Sequence, residues 1–304
     1  MNITEFSDNV QTQQFIAWLG ERIAGDATLD FTHAAGQFDT LSDARDAYEW
    51  PPRKKTISTP KRELILTRNS SLAANQKVLD QLCDGLRDCL AASTPDEELL
   101  AAWVQSILVW GGVYTRHKNG GGNAGWLSAR RAAKDLAAHL REALEALESG
   151  SVTFDRGPST LRSNAGLTKV YSLAADDFII YDSRVAAALA WLVMEWSREA
   201  IHVPDHLKFA CMRANEGSPK DKAPGSAKVR SPNVADFPYF APASHLRDHR
   251  RHAVWNLRAN CVLAAALVRA KALRPGAPDS KFQTVRDVEA ALFVMGADLR
   301  HALD

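Results

Sequence analysis

The stretch 165-AGLTKVYSLAADDFIIYDSRVAAAL-189 joins two apolar helical runs, and its reading decides the fold. Lys169 is the only lysine or arginine between Arg162 and Arg184, set beside Gly166 and Thr168 in a segment of core-like composition. The pattern predicts two helices joined by 174-AADDFIIY-181, the second running through 183-SRVAAALAWLVMEWSREA-200. On pattern alone, Asp182 caps the second helix by accepting from its first amides. Lys169 then reads as a snorkelling side chain, its stem in apolar surroundings and its head toward water.

Working outward, helical rhythm dominates the chain. Apolar residues recur at three- and four-residue spacing over 9–23, 72–92, 95–112 and 127–149, and again over 245–273 and 284–303. Pro95 to Glu98 gives the third of these an acidic first turn, and Gly111-Gly112 gives it a stop. Strand signals are few, and 152-VTF-154 and 178-FIIY-181 are too short to build a sheet around. The expected fold class is all-α. A Pro- and Lys-rich connector, 51-PPRKKTISTPKR-62, divides an N-terminal extension (1–60) from a helical main body (61–304).

The chain has 304 residues, 46% hydrophobic and 24% charged, with a net charge of +1. That composition is ordinary for a globular protein, and any polyanion-binding surface must be a local patch. The four cysteines (Cys83, Cys89, Cys211, Cys261) lack metal-type spacing and read as buried free thiols. The N-terminus lacks the features of a secretory signal, and no apolar run approaches membrane-spanning length. A cytoplasmic location is therefore expected.

Three further features carry possible chemistry. The loop around 119-NGGGN-123 lacks the Lys-Ser/Thr of a nucleotide cradle. It reads as a flexible connector, or, with Arg116, Lys118, Arg130 and Arg131 nearby, as a contact for nucleic-acid phosphates. His245, His249 and His252 share one helix face, but interleaved Arg247, Arg250 and Arg251 oppose a dication, so no metal is expected. Residues 208–258 are locally basic and enclose Phe237, Tyr239 and Phe240, a composition suited to a nucleic-acid groove or to a solvated loop with an apolar tuck.

The string 165-AGLTKV-170, followed by 179-IIYDSRVA-186, resembles 8-oxoguanine DNA glycosylases of the helix-hairpin-helix superfamily. The resemblance covers about 25 residues, and the chain reads as a divergent member. The hairpin is reduced to 161-LRSNAGL-167, with one glycine and no proline. The resemblance implies a DNA glycosylase with lyase activity, requiring no cofactor and acting on duplex DNA that carries a modified base. It implies Lys169 as nucleophile and Asp182 as the assisting carboxylate. Gly166, Thr168, Arg184, Arg247, Arg250 and Arg251 join Arg116, Lys118, Arg130 and Arg131 as expected DNA contacts. Trp110, Trp126, Tyr181 and Phe240 are expected walls of a pocket for the flipped base. An exposed lysine is protonated at neutral pH, so the apolar setting of Lys169 is what such chemistry requires. The alternative is an inactive DNA- or partner-binding protein on the same scaffold; repair and phage defence are both compatible roles.

Overall fold

Caps and periodicity place most of the helices where the sequence puts them. The computed structural model describes residues 1–34, 36–113, 122–198, 202–214, 227–240, 245–275 and 281–303. Helices α1 (Ile3–Ser7) and α2 (Val10–Ala24) are followed by a hairpin of β1 (Phe31–His33) and β2 (Gly36–Phe38), then α3 (Leu41–Asp46). A second hairpin pairs β3 (Lys55–Ser58) with β4 (Glu63–Leu66). The order continues with α4 (Leu72–Ala91), α5 (Glu97–Trp110), α6 (Gly122–Ala133), α7 (Leu136–Glu148), α8 (Thr168–Ala174), α9 (Ser183–Trp196), α10 (Leu246–Leu273) and α11 (Val285–Met295). The fold is mostly helical with minor β content. Among the described residues, no helix is long and apolar enough to cross a membrane.

The chain divides into two compact units. The first holds Met1–Tyr48, Tyr181–Ala243 and Trp255–Asp304; the second holds Glu49–Ile180 and Ser244–Val254. In the first unit α9 is the central element. Every residue from Val185 to Val193 is buried, as a helix apolar on all faces must be. Helices α2 and α11 pack against it, and α3 packs on α11. Arg45 of α3 pairs with Asp287 of α11 at 2.7 Å. Asp287 also closes the capping box of α11 with Thr284. Trp191 meets Phe31 edge-on with ring centroids 4.7 Å apart, tying β1 into this core.

The second unit is organised on α5. Helices α4, α6, α7 and α8 and strand β3 all contact it. Gly85 of α4 lets the two helices close, because a Cβ there would run into the Trp103 ring. Glu97, in the first turn of α5, accepts from the amides of Leu136 and Ala137 and so caps α7 from outside that helix.

The structure departs from the sequence expectations in several places. The run 127–149 is two helices, because Lys134 adopts φ 55°. The amides of Lys134 and Asp135 return to the carbonyls of Arg131 and Arg130, the double bond of a Schellman ending. A lysine in the position that favours glycine gives no warning in the sequence. The segment 51–62, taken as a connector, contains β3 and the turn into β4. Ile57 pairs opposite Leu64, so residues on the two sides of the expected 60/61 boundary share one hairpin. Ile57, Leu64 and Leu66 are buried while Thr56, Ser58, Glu63 and Ile65 face outward, a period of two over strands only four residues long.

Candidate active site

Lys169 lies in the first turn of α8, which is entered through a capped turn. The Oδ1 of Asn164 accepts from the amides of Gly166 at 2.9 Å and Leu167 at 3.1 Å, and its carbonyl accepts from Thr168 at 3.0 Å. Asn164 therefore does the work of an N-cap. Its side chain also forms a reciprocal amide pair with Asn123 of α6, with bonds of 3.0 and 2.9 Å. Arg162 adds a third bond to Asn123 at 3.1 Å. Gly166 is needed for this approach, since a Cβ there would overlap the Asn123 amide nitrogen. Behind the turn, the Nδ1 of His252 meets Ser163 Oγ and the Nδ1 of His249 meets the Ser163 carbonyl, each at 2.8 Å. Tyr171 Oη donates to the Arg162 carbonyl at 2.6 Å.

Within this frame Lys169 is 7% exposed. Its Nζ donates to the Ala165 carbonyl at 2.8 Å. Its stem crosses the end of α5 where Gly111 stands, and a Cβ on Gly111 would collide with Lys169 Cδ. The snorkelling expected from pattern alone is thus replaced by a buried side chain laid across a glycine.

A second lysine, which the sequence argument passed over, reaches the same helix end. Lys55 of β3 donates from Nζ to the carbonyls of Val109 at 2.7 Å and Trp110 at 3.0 Å. Burial first, and the charge of Lys169 second, bring its pKa down to about 8. No sequence motif marks Lys55. The available signal was the four-residue alternation of 55-KTIS-58, which places Ile57 inward on α5.

Asp182 belongs to the first unit and caps α9. Its Oδ1 accepts from the amides of Arg184 at 2.9 Å and Val185 at 3.3 Å. Arg184 lies over the Phe293 ring at 4.1 Å. Burial lowers its pKa, opposed by the charge of Asp182. The carbonyl of Arg184 sits so close to Gly296 of the α11 terminus that any Cβ there would overlap it.

The remaining expected residues are scattered. Arg116 and Lys118 lie outside the described residues. Arg130 pairs with Asp135 at 2.8 Å and Arg131 with Glu98 at 3.4 Å. Gly166 and Thr168 are buried, and the Thr168 hydroxyl donates to the Ile179 carbonyl at 3.4 Å. Arg250 donates to the carbonyls of Asp155 and Gly157, whereas Arg247 and Arg251 are exposed on α10. Of the expected pocket walls, Tyr181 and Trp110 are core residues with bonded polar atoms. Tyr181 Oη donates to Ala210 O at 2.8 Å, and Trp110 Nε1 donates to Asn75 Oδ1 at 3.1 Å. Trp126 is half-buried with Arg162 over its ring at 5.8 Å, and Phe240 is also half-buried. Among the described residues, no group of three His, Cys, Asp or Glu side chains is placed to hold a metal ion.

No family model matches this chain, and neither a curated protein nor a solved structure matches it.

Proposed function

We propose that the protein is a DNA glycosylase with lyase activity that excises a modified base. Lys169 is the nucleophile and Asp182 the assisting carboxylate, on a divergent helix-hairpin-helix scaffold. The observation that carries the reading is the burial of Lys169 on the first turn of α8, its stem laid across Gly111 and its entry turn held by Asn164. A lysine kept from bulk water is the kind that enzymes use as an amine nucleophile.

In the proposed reaction the flipped nucleotide loses its base as the C1′–N bond breaks. The bond electrons leave with the base, which takes up a proton. Positive charge builds on the sugar, and the Asp182 carboxylate stabilises it. The neutral Lys169 amine forms the new bond to C1′. Opening of the sugar ring then gives a protonated imine, from which loss of a C2′ proton expels the 3′ phosphate. Arg247 and Arg251, exposed on α10, supply cations for backbone phosphates.

The test is borohydride trapping on duplexes carrying candidate modified bases or an abasic site. Hydride reduces the imine to a stable amine, so wild type is expected to form a covalent adduct that Lys169→Gln abolishes. Asp182→Asn is expected to slow base release while duplex binding persists. A second reading rests on the bond from Lys169 Nζ to the Ala165 carbonyl, which makes the lysine a strut of the turn in a non-catalytic DNA-binding protein. That reading predicts salt-dependent binding with no adduct from any duplex, and such a result would reject the enzyme.

A further inference from the structure

Two consecutive glycines end α5, and a lysine lies over each. A Cβ on Gly111 would collide with Lys169 Cδ and come within 2.7 Å of its Cε. A Cβ on Gly112, where φ is +70°, would stand 3.3 Å from Lys55 Nζ and 3.4 Å from the Trp50 ring. Neighbouring Cα atoms are only ~3.8 Å apart. Side chains from β3 and α8 therefore converge on one dipeptide.

The bonding of Lys55 is one that its neutral amine can keep. A neutral amine has two N–H donors and one lone pair, and Lys55 has two carbonyl partners, Val109 and Trp110. The Trp50 ring covers it at 5.0 Å, and Trp50 Nε1 shares the Trp110 carbonyl at 3.1 Å. With both N–H groups directed at carbonyls, the lone pair is left to receive a proton. Burial and the nearby Lys169 charge favour the form that carries this lone pair.

Among the described residues, the other charged groups around the seat are engaged or remote. Arg162 is bound to Asn123, and Arg87 of α4 reaches the far end of α8 at Leu173 and Asp176. Glu97 and Glu98 sit in the first turn of α5, at its opposite end. His249 and His252 of α10 are turned to Ser163. Among the described residues, the charged group that bears on Lys55 is Lys169.

We propose that Lys55 is the proton acceptor for Lys169, resting on the reading of Lys169 as nucleophile. One proton passes from the Lys169 ammonium to the Lys55 amine along the Gly111-Gly112 seat. Lys169 gains the lone pair that attacks C1′, and Lys55 becomes an ammonium that returns its proton to solvent. No oxidant, metal or cofactor takes part in this transfer.

The test uses the full chain as wild type, Lys55→Met, Lys55→Arg and Lys169→Met, with thermal unfolding confirming that each is folded. Lysine ¹³C NMR against pH reads Lys55 directly. Its midpoint near 8 is expected to rise in Lys169→Met, when the neighbouring charge is gone. Borohydride trapping on an abasic-site duplex reads the function. Arginine keeps the charge but cannot accept a proton, so Lys55→Arg and Lys55→Met are both expected to trap about 100-fold more slowly at pH 7.5, with duplex binding unchanged.

Wild-type trapping rates in Lys55→Arg, or a Lys55 midpoint indifferent to Lys169→Met, overturn the proton transfer while leaving a trapping enzyme intact. An adduct mapped to Lys55 in the wild type overturns both assignments. If the midpoint shift is found but wild type never traps, the glycosylase reading fails and the transfer role falls with it.

Discussion

Two helix ends position the candidate residues, one in each unit, and both depend on a missing Cβ. Gly111 ends α5 beneath the side chain of Lys169, and Gly296 ends α11 against the main chain of Arg184. The neighbours differ in kind. Methylenes of a lysine can swing aside, but the carbonyl of a residue in the first turn of α9 moves only with its helix. The seat in the second unit therefore bears a flexible side chain, while the seat in the first unit fixes the helix that Asp182 caps. Both glycines have φ near −70°, so space and not backbone strain excludes a side chain there.

The largest expected effect tests the rigid seat. Gly296→Ala forces α9 and α11 apart in a core where Leu189, Leu192 and Leu292 are fully buried. Overpacking of this kind costs about 3 kcal/mol. Denaturant unfolding should show that loss, and a change below about 1 kcal/mol would put the two seats on equal terms. Next comes Gly111→Ala, where the colliding group is a flexible chain and alanine itself favours the helix. The stability loss should be about 1 kcal/mol. Borohydride trapping, in contrast, should fall by about tenfold or more, because the displaced group is the proposed nucleophile. A stability loss matching that of Gly296→Ala, with trapping preserved, would break the comparison.

How far the sequence foresaw these seats follows from the range of the interactions. Asp182 as the cap of α9 was legible, because capping involves residues two and three positions on. The stop of α5 at Gly111-Gly112 was legible for the same reason. The partner of each glycine was not. Lys169 and Arg184 reach their glycines from distant points in the chain, and no periodicity encodes that. The burial of Lys169 was hidden for a related reason. Pattern alone treats a lysine as amphipathic, whereas here Ala165 and Gly111 supply a carbonyl and a bare Cα along its length. Of the expected cations, Arg130, Arg131 and Arg250 hold the scaffold through pairs and carbonyl bonds. A count of basic residues cannot separate those from exposed Arg247.

The reduced hairpin offers a third, smaller test. A second glycine is absent from 161-LRSNAGL-167, and the Asn164 side chain takes the amides that a tighter turn would leave open. Asn164→Ala should cost about 1–2 kcal/mol as a lost cap. Asn123 and Asn164 form one reciprocal pair. Adding Asn123→Ala should therefore cost less than its effect in wild type. Additive losses would mean that the amide pair does not hold the turn.

The smallest expected effect sharpens the contrast between the units through one buried and one half-buried histidine. Burial lowers the pKa of His249 in the second unit and of His206 in the first, with Arg162 and Arg258 contributing in the same direction. They differ in bonding. His249 already directs Nδ1 at the Ser163 carbonyl, a bond that favours its charged form, whereas His206 Nε2 is buried without a hydrogen-bond partner. A histidine whose pKa is depressed on folding is neutral in both states well above pH 6.5. As pH falls through that value, the unfolded chain binds the proton first. Stability is therefore retained above about pH 6.5 and lost below it. Unfolding midpoints taken from pH 7.5 to 5.5 should decline in wild type and decline less in His206→Gln. The corresponding change in His249→Gln should be smaller, because the Ser163 carbonyl partly offsets burial. An equal flattening in both variants would show that burial alone sets these histidines, and that the turn beneath Lys169 is no more tolerant of charge than the core of the first unit.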